Sequence, residues 1–254
     1  MTATSTMAIP AGSARIHQAR RVVSVQQRFA ELMIAGLFMV TAVTSIGGVV
    51  VMNAILTAPD YLAQIFPNKG AIGLGALGWS INNIGIVFIA VFAFPLLRKH
   101  DETLAVGYLT TRVIEGSVMM FGIAATLMLI PLSEAFVNAG TPDASWFQTV
   151  GDVLMHFKLL GLTELALPLM SLGGMIFCWQ MFKFRMVPRV ISLVGLVGYA
   201  LMFLSGFASW FDLLDAAPGS PATFLAAPVA LFEIILLPAW LFLKGFRMPE
   251  TTAI

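Results

Sequence analysis

The sequence predicts an all-α integral membrane protein: six transmembrane helices in one bundle, with both termini cytoplasmic. Three observations predict it. Hydrophobic residues make up 59% of the 254-residue chain and charged residues only 11%, against roughly 45–50% and 25% in soluble domains. The apolar residues gather into six blocks, each long enough for the roughly 20 helical residues that cross a hydrocarbon core of about 30 Å. Finally, eleven Lys and Arg residues fall on one side of that arrangement and Lys69 alone on the other, which assigns the basic side to the cytoplasm.

Residues 1–28 are small and polar, with Arg15, Arg20, Arg21 and Arg28. They lack the apolar core and cleavage site of a secretory signal. A cytoplasmic arm is expected, disordered or lying on the surface, with Arg20, Arg21 and Arg28 near anionic lipid headgroups. The transmembrane domain is expected over 29–247, its spans at about 29–55, 71–97, 103–131, 150–181, 188–211 and 223–245. Residues 248–254 are a short cytoplasmic tail. The fourth span is longer than a bilayer needs and contains Pro168, so a tilt, kink or overhang is expected there.

Turn residues mark the connections, as in Pro67-Asn68-Lys69-Gly70 and Gly140-Thr141-Pro142-Asp143. The outer side holds Asp60, Glu134, Asp143, Asp212 and Asp215. Gly47-Gly48, Gly73/Gly75/Gly78, Gly173-Gly174 and Gly195-x-x-Gly198 predict close helix approach. The tryptophans lie mostly toward span ends, where aromatic belts form. The two three-span halves show no convincing self-similarity.

Several classes are excluded. A net charge of +1 gives nucleic-acid binding no electrostatic support. One cysteine, Cys178, permits neither an internal disulfide nor a cysteine metal cluster. No P-loop, dinucleotide fingerprint or GxSxG elbow occurs, so no cofactor is supported by motif. His156 with a nearby acid could ligate zinc or iron, but no HExxH spacing accompanies it, and no metal site is assigned.

The informative residues are the ionisable ones inside the spans. Arg112 and Glu115 sit three apart near the middle of the third block and share a helix face. Burying the pair costs about 5–7 kcal/mol on insertion scales. The eleven Leu, Ile, Phe and Val residues between Leu104 and Ile130 return on the order of 3–7 kcal/mol. Such a helix is near break-even alone and needs neighbours that meet its polar face. Asn82 and Asn83 in the second span, Glu164 in the fourth and Glu233 in the sixth are placed at similar depth by distance from span ends. His156, with Asp152 at the outer entrance of its span, lies in the outer half. Asp152, His156 and Glu164 are expected close to one face. One cation at mid-depth cannot neutralise Glu115, Glu164 and Glu233, so at least one carboxyl holds a proton or a bound cation supplies the difference.

Arg112-x-x-Glu115, His156, Pro188-Arg189 followed by Gly195, Gly198 and Tyr199, and the ending Glu233…Trp240…Lys244-Gly245-Phe246 resemble a bacterial multi-pass membrane family, the domain of unknown function 4386. Ser192 departs from a glycine expected in that family. The resemblance covers about 28–247 and implies a six-helix protein of the bacterial inner membrane; it implies no activity.

Three functions fit these residues. The leading one is proton- or cation-linked transport of a small solute at a mid-membrane site built from Arg112, Glu115, Glu164, Glu233, Asn82, Asn83, His156 and Asp152. An accessory or assembly subunit, with a homo-oligomer or a larger membrane complex as partner, would use the same polar core structurally. An intramembrane enzyme acting on a lipid or quinone would use His156 as acid or base.

Overall fold

A computed structural model describes residues 11–140, 144–211, 213–214 and 221–248. Among them the regular structure is helical. Helix α1 runs Ala11–Leu56, α2 Tyr61–Ile65, α3 Lys69–Leu97, α4 Glu102–Ala139, α5 Ala144–Leu159, α6 Ala166–Lys183 and α7 Arg189–Trp210. A 3-10 turn over Pro221–Ala226 leads into α8, Ala227–Ala230, and α9, Leu237–Leu243. Wide π turns interrupt the long helical stretches on either side of α7, Leu160–Glu164 between α5 and α6 and Leu231–Leu236 between α8 and α9. Among the described residues, six helical stretches are long and apolar enough to cross a membrane: Val25–Leu56, Lys69–Leu97, Glu102–Ala139, Ser145–Lys183, Arg189–Trp210 and Phe224–Leu243.

Local chemistry sets the ends. Asp101 accepts a hydrogen bond from the Leu104 N–H at 3.1 Å, and Glu102 follows in the first turn, where the helix dipole favours a negative charge. At the other end of α4, Gly140 takes φ +61° and stops the helix. The rest of that turn, Thr141-Pro142-Asp143, lies outside the described residues, as do Asp212 and Asp215 of the outer acids, residues 1–10 and 249–254.

The first span is part of a longer helix. Helix α1 is continuous from Ala11, and its residues at the membrane edge bind the last helix. Arg28 donates to the carbonyls of Leu241 at 2.6 Å and Phe242 at 2.5 Å, so its guanidinium caps the open end of α9. Glu31, 3% exposed, accepts the Phe246 N–H at 2.9 Å and Gln27 Nε2 at 2.8 Å. Gly245 has φ +72°, and a Cβ there would run into the Glu31 carboxylate. First and last spans are thereby tied at the end of the bundle nearest both termini.

At the opposite end α2 lies across the projecting tip of α4. Ser133 Oγ donates to the Leu62 carbonyl at 2.5 Å and accepts the Phe66 N–H at 2.8 Å. Two apolar clusters follow this division. The larger joins α1, α3, α4, α6, α7 and α9 around Tyr108, Phe177, Tyr199 and Phe232; the smaller sits under α2, around Tyr61, Leu62, Ile65 and Leu129. Glycines permit the closest contacts. A Cβ on Gly161 would lie 2.6 Å from the Gly122 nitrogen, so the wide turn of the fourth span rests backbone to backbone on α4.

A polar cavity at mid-bundle

Tyr108, Thr111, Arg112, Glu115 and Met119 follow the spacing that repeats on one helical face, and all five are buried. Arg112 Nη1 pairs with Glu115 Oε2 at 2.9 Å, the residues 3% and 2% exposed. The Arg112 guanidinium also stands 5.5 Å over the Tyr108 ring, which stacks on Phe177 at 4.8 Å and 11°. A cation over an aromatic face is attracted by the ring quadrupole, and more so when desolvated. The expected pair therefore exists, and its neighbours are aromatic.

The facing wall comes from α7 and the last span. Tyr199 donates from its hydroxyl to Glu233 Oε1 and meets Phe232 edge-on at 6.1 Å. Its ring passes over Gly174, where any Cβ would collide with it. Glu233 lies in the wide turn Leu231–Leu236. That turn encloses Ile234, the residue whose carbonyl the ring of Pro238 would strike in a regular α-helix. Proline thus explains the interruption, and the interruption re-aims the carboxyl; such π turns recur at functional sites.

Between these walls is a cavity of about 410 Å³ to which every span contributes, among others Phe38, Asn82, Arg112, Met170, Met202 and Glu233. Glu233 lies about 13 Å along its helix from Phe242, and Arg112 about 15 Å from Glu102, at a rise of about 1.5 Å per residue. These lengths are about half the thickness of a 30 Å hydrocarbon core. From that level the cavity runs toward Trp79, Leu162 and Ala226, away from the termini.

The adjacent asparagines diverge, as neighbours on a helix must. Asn83 donates to the Gly116 carbonyl at 2.9 Å and lines a separate shallow groove with Val87 and Val113. Asn82, 8% exposed, lines the central cavity, and no hydrogen bond engages its amide among the described residues.

Glu164, His156 and Asp152 stand apart from this group. The Trp210 indole, at the end of α7, donates to the Glu164 carbonyl at 3.1 Å, so Glu164 lies level with the far end of the fifth span and not at mid-depth. Distance from the span's ends misplaced it because this helix overhangs the far side. Pro168, four residues on, supplies no N–H for that carbonyl, which the indole takes over. The wide turn Leu160–Glu164 also breaks the 3.6-residue register between His156 and Glu164, so the face they were expected to share is lost. His156 is exposed and its Nδ1 donates to the Asp152 carbonyl at 2.8 Å. Asp152 accepts the Tyr61 hydroxyl at 2.8 Å and Gln148 at 3.1 Å. None of the three lines the cavity. Burial, then the Asp152 carboxylate, holds the Tyr61 phenol well above its ordinary pKa.

Two partners escaped the sequence reading. Tyr199 was legible only as a tyrosine beside a glycine repeat, and Tyr108 only through its place one turn before Arg112. The signal that could have found both is a hydrogen-bonding aromatic on the same apolar face as a buried charge.

Among the described residues no three His, Cys, Asp or Glu side chains gather as metal ligands. Comparison with curated proteins and with solved structures returns no match. A family profile, described as a domain of unknown function (DUF4386), covers residues 33–245, so the chain belongs to that family of unknown function.

Proposed function

We propose that this protein is a proton-linked carrier of a small solute, seated in the bacterial cytoplasmic membrane with both termini inside. The observation that carries the reading is the mid-depth cavity walled by all six spans, whose deep end holds two carboxyls against one guanidinium. Arg112 and Glu115 neutralise each other at 2.9 Å. Glu233 accepts a tyrosine hydroxyl and forms no ion pair among the described residues, the charge of Arg112 being matched by Glu115. An unpaired carboxylate inside a bilayer is costly, so Glu233 is neutral with a proton or neutral with a bound positive charge, and alternation between the two is the elementary step of a carrier. The tie between Arg28 and the end of α9 and the one-sided distribution of basic residues support the orientation. His156, on which the enzyme reading relied, is exposed and lies outside the cavity, which favours the carrier over that reading.

Reconstitution in liposomes containing a pH-sensitive dye tests this. Solute gradients are expected to drive proton flux through the native protein and not through Glu233→Gln. Absence of flux under every gradient, or identical flux in the variant, would sink the carrier reading.

A further inference from the structure

Resting on the reading that Glu233 exchanges its proton, we infer that the cargo is a monovalent organic cation with an apolar body, which binds in the cavity by displacing that proton. Charge balance comes first. Arg112 and Glu115 cancel each other's charge, so the cavity carries one negative charge when Glu233 is ionised and none when it is protonated. An anionic solute would add a second negative charge beside Glu115 and Glu233 in a medium that screens little. A bare metal ion would have to surrender its water for a site with no cluster of ligands among the described residues. An organic cation needs only the one charge.

The walls fit the rest of such a molecule. Phe38, Trp79, Met119, Met170 and Met202 line the cavity, giving it aromatic faces and pliable thioethers. Cavities of about 300–1,000 Å³ hold drug-sized ligands, and this one measures about 410 Å³. The free amide of Asn82, 8% exposed, offers an oxygen acceptor on the same wall as Trp79.

The exchange is a proton transfer with no change of oxidation state. The Glu233 O–H bond breaks, its proton leaves to water, and the carboxylate pairs with the entering cation. The titratable groups around Glu233 are Tyr199 from α7, Arg112, Glu115 and Tyr108 from α4, and Cys178 from α6. The cavity residues from α1 and α3 carry none.

Tetraphenylphosphonium and tetraphenylborate, nearly identical in shape and opposite in charge, provide the test. Titration calorimetry on the full chain in mild detergent, repeated in buffers of different ionisation enthalpy, reads both affinity and proton release. The phosphonium is expected to bind at least about tenfold more tightly than the borate, releasing close to one proton per site. Glu233→Gln should lose about tenfold or more of that affinity, and Glu164→Gln should keep it. Equal binding of the two ions, tighter binding of the borate, or phosphonium binding without proton release would each overturn the inference. Proton release by the native protein stands as evidence even where Glu233→Gln fails to fold. Absence of phosphonium binding alongside solute-driven proton flux would defeat the cargo class and spare the carrier; binding without flux in liposomes would do the reverse.

Discussion

The third and fourth spans both carry acid and base inside long apolar helices, yet they dispose of them in opposite ways. Arg112 and Glu115 turn inward, are almost fully buried and close on each other. Asp152, His156 and Glu164 lie toward the far end, where the Asp152 carboxylate takes the Tyr61 hydroxyl, the His156 ring takes the Asp152 carbonyl, and the Trp210 indole takes the Glu164 backbone carbonyl. Depth makes the difference. At the bilayer centre no solvent is available to a charge, so it must be met by another side chain; two turns further along, exposure costs nothing. A count of charges in hydrophobic blocks therefore overstates a site until the overhang of each helix is known.

The largest effect that would test this contrast is at the guanidinium. Arg112→Met leaves Glu115 buried without its cation and should cost about 3–5 kcal/mol, seen as loss of the monodisperse peak in detergent. Adding Glu115→Leu should restore most of it, whereas Glu164→Gln alone should leave the melting temperature in place. Equal sensitivity of Glu164 would erase the distinction between the two ends.

Next comes the joint between them. Gly161→Val pushes a branched side chain against the α4 backbone, where even a Cβ would lie 2.6 Å from the Gly122 nitrogen. A loss of about 1–3 kcal/mol is expected, measured by thermal unfolding of the purified protein. An unchanged melting temperature would mean that the spans do not meet there.

The two tyrosine–carboxylate bonds offer a matched pair. Tyr199→Phe removes the donor to buried Glu233 and should cost about 1–3 kcal/mol, the penalty for leaving a buried acceptor without its partner. Tyr61→Phe removes the donor to exposed Asp152 and should cost less than about 1 kcal/mol near neutral pH. The second variant carries a pH signature. Because folding raises the Tyr61 pKa, its contribution is complete below the unfolded value of about 10 and declines as pH rises beyond it. Tyr61→Phe should flatten alkaline unfolding above about pH 10, and an unaltered alkaline limb would contradict that account. The smallest effect belongs to His156→Ala, within about 0.5 kcal/mol of the native protein; a large one would restore weight to this histidine.

Much of the fold was legible in the chain. Six apolar blocks became six membrane-length helices, because a bilayer leaves the backbone no alternative to internal hydrogen bonding. The Arg112–Glu115 contact followed from helical spacing alone. Gly48 meeting Trp79 and Gly198 meeting Val229 follow from the small-residue pattern. The wide turns were not legible, although Pro168 and Pro238 stood in view, because proline requires a disturbance without stating which residues absorb it. Neither was Tyr199, whose role depends on Gly174 of another helix making room for its ring.

The sequence by itself determined the solvent, the number of spans and the presence of a buried ion pair, since each depends on hydrophobicity and periodicity along one segment. Tertiary structure alone decided that Glu233 joins that pair while Glu164 does not, and that Asn82 faces a cavity while Asn83 faces a neighbouring helix. Those outcomes depend on axial offset and rotation between helices far apart in the chain, quantities set by glycine contacts and proline-widened turns and written in no single stretch of residues.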